Sequence, residues 1–201
     1  MQDFAQSDAP RPLGMIEWDS VAHGIKAADA ALKAAPVVPV VLRAVTPGRS
    51  VAVFTGDVDS VAAAVAQGVA IGGASVVDWL RLPQPHPGLR SALGARTSER
   101  ALSAIGVIET LSLCSLIGAA DAAAKAGDVR LHEIRLAMGL GGKAFAVLSG
   151  EISQVEAALE RGAAFAAERR MLLAAVAVPN PDALTLSFLR EPATPFADFT
   201  F

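Results

Sequence analysis

The chain of 201 residues is 53% hydrophobic and 18% charged, with a mean hydropathy of +0.45. That excludes a disordered acidic or basic tail, which needs low hydrophobicity and high net charge. Seventeen basic against 20 acidic residues give a net charge of −3, so no basic field gathers nucleic acid or anionic lipid, and a lone Cys114 excludes an internal disulfide or a cysteine-cluster zinc site within one chain. With 42 alanines and 17 glycines, helices and strands are expected to pack at very close range.

In chain order, Met1–Pro12 has no apolar run and is not a signal peptide. Leu13–Glu17 reads as a strand. Asp19 or Ser20 can cap an Ala-rich helix running through Lys33. Val37–Arg43 is β-branched and forms a strand, Thr46-Pro47-Gly48 a turn, and Val51–Thr55 another strand. Gly56-Asp57 opens a second helix, with Asp57 or Asp59 at its positive end. Ser60–Val77 carries no charge and is long enough to cross a membrane. Its Ala, Val and Gly content predicts instead a buried helix followed by a strand. The last strand is Val76–Leu82, halted by Pro83 and Pro85. The order β-α-β-β-α-β predicts an α+β, ferredoxin-like layer: two helices on one face of a four-stranded antiparallel sheet.

The whole unit then recurs, which is the main organisational signal. Leu13–Ala35 overlies Ile105–Gly127 at a constant offset of 92, with about half the positions identical, among them Gly14/Gly106, Glu17/Glu109, Asp29/Asp121 and Lys33/Lys125. Val51–Gly68 overlies Phe145–Gly162 at an offset of 94, so two extra residues lie in the second copy between Lys125 and Phe145. Leu82–Leu89 meets Val178–Thr185. The resulting division is a tail at 1–12, a first domain at 13–93, a linker at 94–104, a second domain at 105–188 and a C-terminal tail at 189–201.

The strand LGMIE, the helix ending AADAALKAA, the strand-loop-strand around LGGKAFAVLSGE and the strand ending before a Pro-x-Pro-His segment resemble bacterial microcompartment shell proteins. Two unpermuted copies in one chain are similar to the tandem-domain, trimer-forming subfamily, in its propanediol-utilisation branch. The resemblance spans about residues 13–187. It implies a homotrimer of six domains that mimics a hexamer, a flat tile with a central pore, packed edge to edge with other shell proteins in the bacterial cytoplasm. A second trimer or encapsulated enzymes are further possible partners; neither nucleic acid nor membrane is. No enzymatic activity is expected.

By that resemblance Thr46, Pro47 and Gly48 in the first copy, and Gly139, Leu140, Gly141 and Gly142 in the second, line the pore. Arg49 and Lys143 follow each loop and would add a mildly positive field. Taken alone, the Gly run is also an ordinary hairpin turn. The branch carries a cysteine just before the Pro-Gly, where three copies would hold an iron–sulfur cluster on the axis. Here that position is Thr46, which has no thiolate, so no cluster and no other metal is expected. Cys114 reads as a small buried hydrophobe. The resemblance places Lys33 and Lys125 at the tile edge, with Gln84, His86 and Asn180 in the Pro-x-Pro segments; Gln84 and Asn180 replace the usual arginine, and Asp182 stands where the first copy has His86. A solvated helix-terminal lysine is the plain alternative for either Lys.

Other chemistry fails on spacing. Gly139–Lys143 lacks the phosphate-loop pattern, with Ala144 where Ser or Thr belongs, and His23, His86 and His132 share no ligand spacing. Glu17 and Glu109 recur because the domain repeats, which suits a structural hydrogen-bonding role. Trp18 and Trp79 occur in one copy only and read as core or interface. The alternative reading of the whole is a tandem ferredoxin-like regulatory module binding a small ligand between its repeats.

Overall fold

The computed structural model describes residues 11–93, 102–136 and 140–190. Most of the linker, almost all of both tails and Gly139 lie outside the described residues. The first copy comprises β1 (Leu13–Trp18), α1 (Val21–Ala34), β2 (Val38–Val45), β3 (Arg49–Thr55), α2 (Val58–Gly72) and β4 (Val76–Leu82), followed by a short α3 (Gly88–Ala92). The second comprises β5 (Ala104–Thr110), α4 (Leu113–Ala126), β6 (Arg130–Leu136), β7 (Ala144–Gly150), α5 (Ile152–Glu168) and β8 (Leu172–Pro179), then α6 (Ala183–Arg190). Each sheet is antiparallel throughout, in the orders β2-β3-β1-β4 and β6-β7-β5-β8. The expected ferredoxin-like arrangement is therefore present twice.

Local chemistry sets the boundaries. Ser20 caps α1, its side chain accepting from the His23 N–H at 3.3 Å, and Ser112 does the same for α4, accepting from Ser115 at 3.0 Å. Asp57 caps α2 by accepting from the Ser60 N–H at 2.8 Å, and those hydrogen bonds hold its carboxyl below the usual range. The uncharged run forms α2, a 3₁₀ turn and the start of β4, as expected; Val58–Ser75 meets the length and hydropathy of a membrane span, but Val61, Ala64 and Val65 are buried against Ile16, Trp18 and Phe54. Gly14 shows how close that packing is: a Cβ there would lie 2.6 Å from Val65 Cγ2, so α2 rests on β1 only because no side chain intervenes.

The two copies are not packed as equals. α4 lies against β4 and β1 of the first copy, and α3 crosses to β6 of the second. One continuous core, including Met15, Leu80, Leu89, Leu113, Leu116 and Ile134, runs through the seam. Eleven residues of α4 are buried, against four of α1, its counterpart in the repeat.

Candidate functional site

The seam is built from matched positions doing different work. Glu17 at the end of β1 is fully buried. It accepts from Arg49 Nη1 at 2.7 Å and from the Leu113 N–H at the start of α4 at 2.9 Å. Burial pushes its carboxyl above the usual range, and these two bonds offset part of that rise. Arg49 Nη1 also reaches the Leu111 and Gly142 carbonyls at 3.3 and 3.4 Å. One guanidinium thus ties the first copy's carboxylate to the backbone of the second copy in two places.

A second cluster centres on Asp78 in β4. Its carboxylate accepts from Ser112 Oγ at 2.5 Å and Ser115 Oγ at 2.6 Å, both on α4, and from Arg169 Nη2 at the end of α5. Arg169 also donates to the Trp79 carbonyl and lies over the Trp79 ring, 5.7 Å from its centre. Trp79 is therefore an interface residue and Trp18 a core one. Cys114 is fully buried, with Sγ 3.7 Å from the Asp78 carbonyl, and burial raises its thiol pKa well above normal. It is the small hydrophobe expected. Among the described residues no three His, Cys, Asp or Glu side chains form a metal-binding group.

The two loops meet beside this seam. Thr46-Pro47-Gly48 turns with the Gly48 N–H on the Val45 carbonyl at 3.0 Å, and the second loop turns with the Lys143 N–H on the Leu140 carbonyl at 3.1 Å. Gly142 has φ +87° and is wedged between loops: a Cβ there would lie 3.1 Å from Pro47 Cδ and 3.2 Å from Arg49 Nη1. The register locates the two-residue insertion in this loop. Five residues separate the paired Ala44 and Ser50, and seven separate Leu136 and Ala144. Thr46, Pro47, Gly48 and Gly141 are exposed, Leu140 half-buried and Gly142 buried, while Gly139 lies outside the described residues. Both following cations carry counter-charges, Arg49 on Glu17 and Lys143 Nζ 3.6 Å from Glu109, so neither presents a free charge to the loops. Thr46 offers an exposed hydroxyl, and Cys114, the cysteine of the sequence, is sealed in the seam.

Three of the five edge residues come together. Lys125 Nζ donates to the Gln84 carbonyl and to Asp121, both at 2.6 Å, and the His86 N–H donates to Asp121 at 2.7 Å. Among the described residues Lys33 makes only the matching helix contact, to Asp29 at 2.6 Å, and Asn180 is elsewhere, its N–H on the Ser103 carbonyl. The Asp78 cluster was not anticipated from the sequence. Its signal was a mismatch in the repeat: β-sheet pairing sets Asp78 opposite Glu17 but Ala174 opposite Glu109.

Comparison with known proteins supplies the wider context. The BMC domain matches residues 12–85 and again 104–181. The bacterial microcompartment shell protein PduT of Citrobacter freundii is 36% identical over 169 residues, covering 84% of this chain and 92% of that protein. The carboxysome assembly protein CcmO of Synechococcus elongatus is 32% identical over 202 residues, covering 94% of this chain and 72% of its own. Among solved structures, the crystal structure of a microcompartment protein from Desulfitobacterium hafniense superposes with a TM-score of 0.72 at 43% identity, covering 87% of this chain and 97% of that one.

Proposed function

This chain belongs to the BMC domain family and is a structural shell protein of a bacterial microcompartment, and on that premise we propose that it is a homotrimeric, pseudohexagonal tile whose central pore passes small polar metabolites. As a member of that family it oligomerises and assembles with other shell proteins, and the shell reading is favoured over a ligand-binding regulatory module.

The observation that carries the trimer is the character of the seam. α4 of the second copy meets β4 and β1 of the first, a head-to-tail contact that uses different surfaces on its two sides. The chain therefore leaves one surface of each kind unused, one on each copy, and head-to-tail contacts generate a ring when the rotation closes. The two loops lie together on this seam, which supports reading both types as the lining of the centre of such a ring. Their charges are already paired, so selection falls to backbone N–H groups and the Thr46 hydroxyl, which suit small polar solutes. The tile carries no iron–sulfur cluster and performs no chemistry of its own; iron found in anaerobically purified protein would contradict the first point.

Light scattering tests the assembly. A trimer of a 20.6 kDa chain gives about 62 kDa, and twice that if trimers stack; a monomer at micromolar concentration refutes the proposal. Lys33 and Lys125 set the edge contacts, each about 1 kcal/mol or less at the surface. Lys33→Ala with Lys125→Ala is expected to leave the trimer intact and weaken extended sheets in electron micrographs. Sheets equal to wild type would remove the lysines from the edge.

A further inference from the structure

We infer that Arg49, seated on the buried carboxylate of Glu17, holds the second loop in place from across the seam, and that Glu17 must be ionised for it to do so. The inference rests on the reading of the two loops as the lining of a pore, and it names the residues that position one of them.

Arg49 opens β3 directly after the first loop, and its guanidinium reaches out of its own copy. Nη1 donates to Glu17 Oε1 at 2.7 Å and to the Leu111 and Gly142 carbonyls at 3.3 and 3.4 Å. That nitrogen carries two hydrogens, so the short bond to the carboxylate takes one and the two carbonyls share the other. Gly142 is also where the loops touch, since a Cβ there would lie 3.1 Å from Pro47 Cδ. A shift of the guanidinium therefore disturbs the contact between the loops. The second copy shows a looser version of the same pair. Lys143 follows the second loop as Arg49 follows the first, and its ammonium lies 3.6 Å from Glu109, with both side chains more than a third exposed. An ammonium is a compact point charge, whereas a guanidinium presents its donors in fixed directions and can serve carboxylate and carbonyl together.

The ionisation of Glu17 sets the strength of this hold. Arg49 faces it from β3, Asp78 sits opposite it on β4, and α4 brings up the Leu113 N–H and the Cys114 thiol. Arg43 on β2 lies one strand further out, beyond the Val51 that pairs with both, and is exposed. Asp78 is in no position to replace Glu17, because its carboxylate already serves Ser112, Ser115 and Arg169. Among the described residues Glu17 is the one carboxylate within ion-pair distance of Arg49. Once Glu17 is protonated the guanidinium loses its counter-charge, and with its side chain 24% exposed it has water as the competing partner. Burial raises the Glu17 carboxyl above the usual range, which brings the release into mildly acidic solution.

A spin label tests the hold. Cys114 is sealed, so Leu140→Cys supplies one accessible thiol, on the second loop, for a nitroxide. In electron paramagnetic resonance spectra the ratio of immobilised to mobile label is expected to fall roughly tenfold between about pH 7.5 and about pH 5, as a charge-assisted hydrogen bond becomes a neutral one. Glu17→Gln in the same chain should give the low ratio at both pH values, Arg49→Lys should lower it at about pH 7.5, and Glu109→Gln should leave the pH step intact, with circular dichroism confirming the fold of each. A ratio independent of pH, a step that survives Glu17→Gln, or a label as immobilised in Arg49→Lys as in the parent overturns the positioning. The expected step in a chain that light scattering finds monomeric leaves the positioning standing and removes the pore.

Discussion

Replacing Asp78 with alanine removes the acceptor for Ser112 Oγ, Ser115 Oγ and Arg169 Nη2 at once. Hydrogen bonds to a charged group contribute roughly 1.5–3 kcal/mol each, but deleting the carboxylate also removes its own desolvation cost. Breaking a buried ion pair by one partner typically costs about 3–5 kcal/mol. The Arg169 side chain is 27% exposed and keeps the Trp79 carbonyl, so water and that carbonyl recover part of the loss. The low end, about 3 kcal/mol, is expected. Urea unfolding followed by tryptophan emission reads it, because Trp79 lies under the same guanidinium. A second cycle adds Arg169→Ala: once the carboxylate is gone, removing the arginine should cost little more, giving a coupling above about 1 kcal/mol. A loss under about 1 kcal/mol for Asp78→Ala, or strictly additive effects, would show that the cluster does not lock the seam.

Glu17 makes stability fall as pH rises through the mildly acidic range. Its folded carboxyl titrates above the unfolded one, so between the two values the folded chain holds more protons; Glu17→Gln should flatten that limb of urea midpoint against pH. Asp57 acts with the opposite sign: its carboxyl is depressed by the Ser60 hydrogen bonds, so its contribution is present above the ordinary carboxylate range and lost on acidification below it. Asp57→Asn should remove that acid-limb dependence. Cys114, buried and with its thiol raised well above normal, should resist a maleimide at about pH 8 in the native protein and react fully in urea, by mass spectrometry.

The repeat made the fold legible. Two segments with the same capping residues, the same Gly14/Gly106 and the same strand stops can only be two copies of one layer, and β4 begins and ends at the residues expected. The loop insertion was visible as a change of offset. The short helices α3 and α6 were not foreseen. Gly88–Ala92 is too brief to show a period and is held by β6 of the other copy, a contact invisible to local pattern. The roles of Arg49 and Glu17 were half legible: the recurring glutamate suggested hydrogen bonding, but its partner Leu113 lies 96 residues away. Asp78 gives no sign of its role within its own strand, because its partners come from α4 and the end of α5.

The passage of α3 from the first sheet onto the second changes the mass-action problem of building a ring. Within one chain the two wedges meet at the high effective concentration set by a short tether, on the order of millimolar. In a six-wedge ring of three chains, half the joints are then formed by folding rather than by collision. Closure becomes a third-order process instead of a sixth-order one, and a half-built ring can lose only whole pairs.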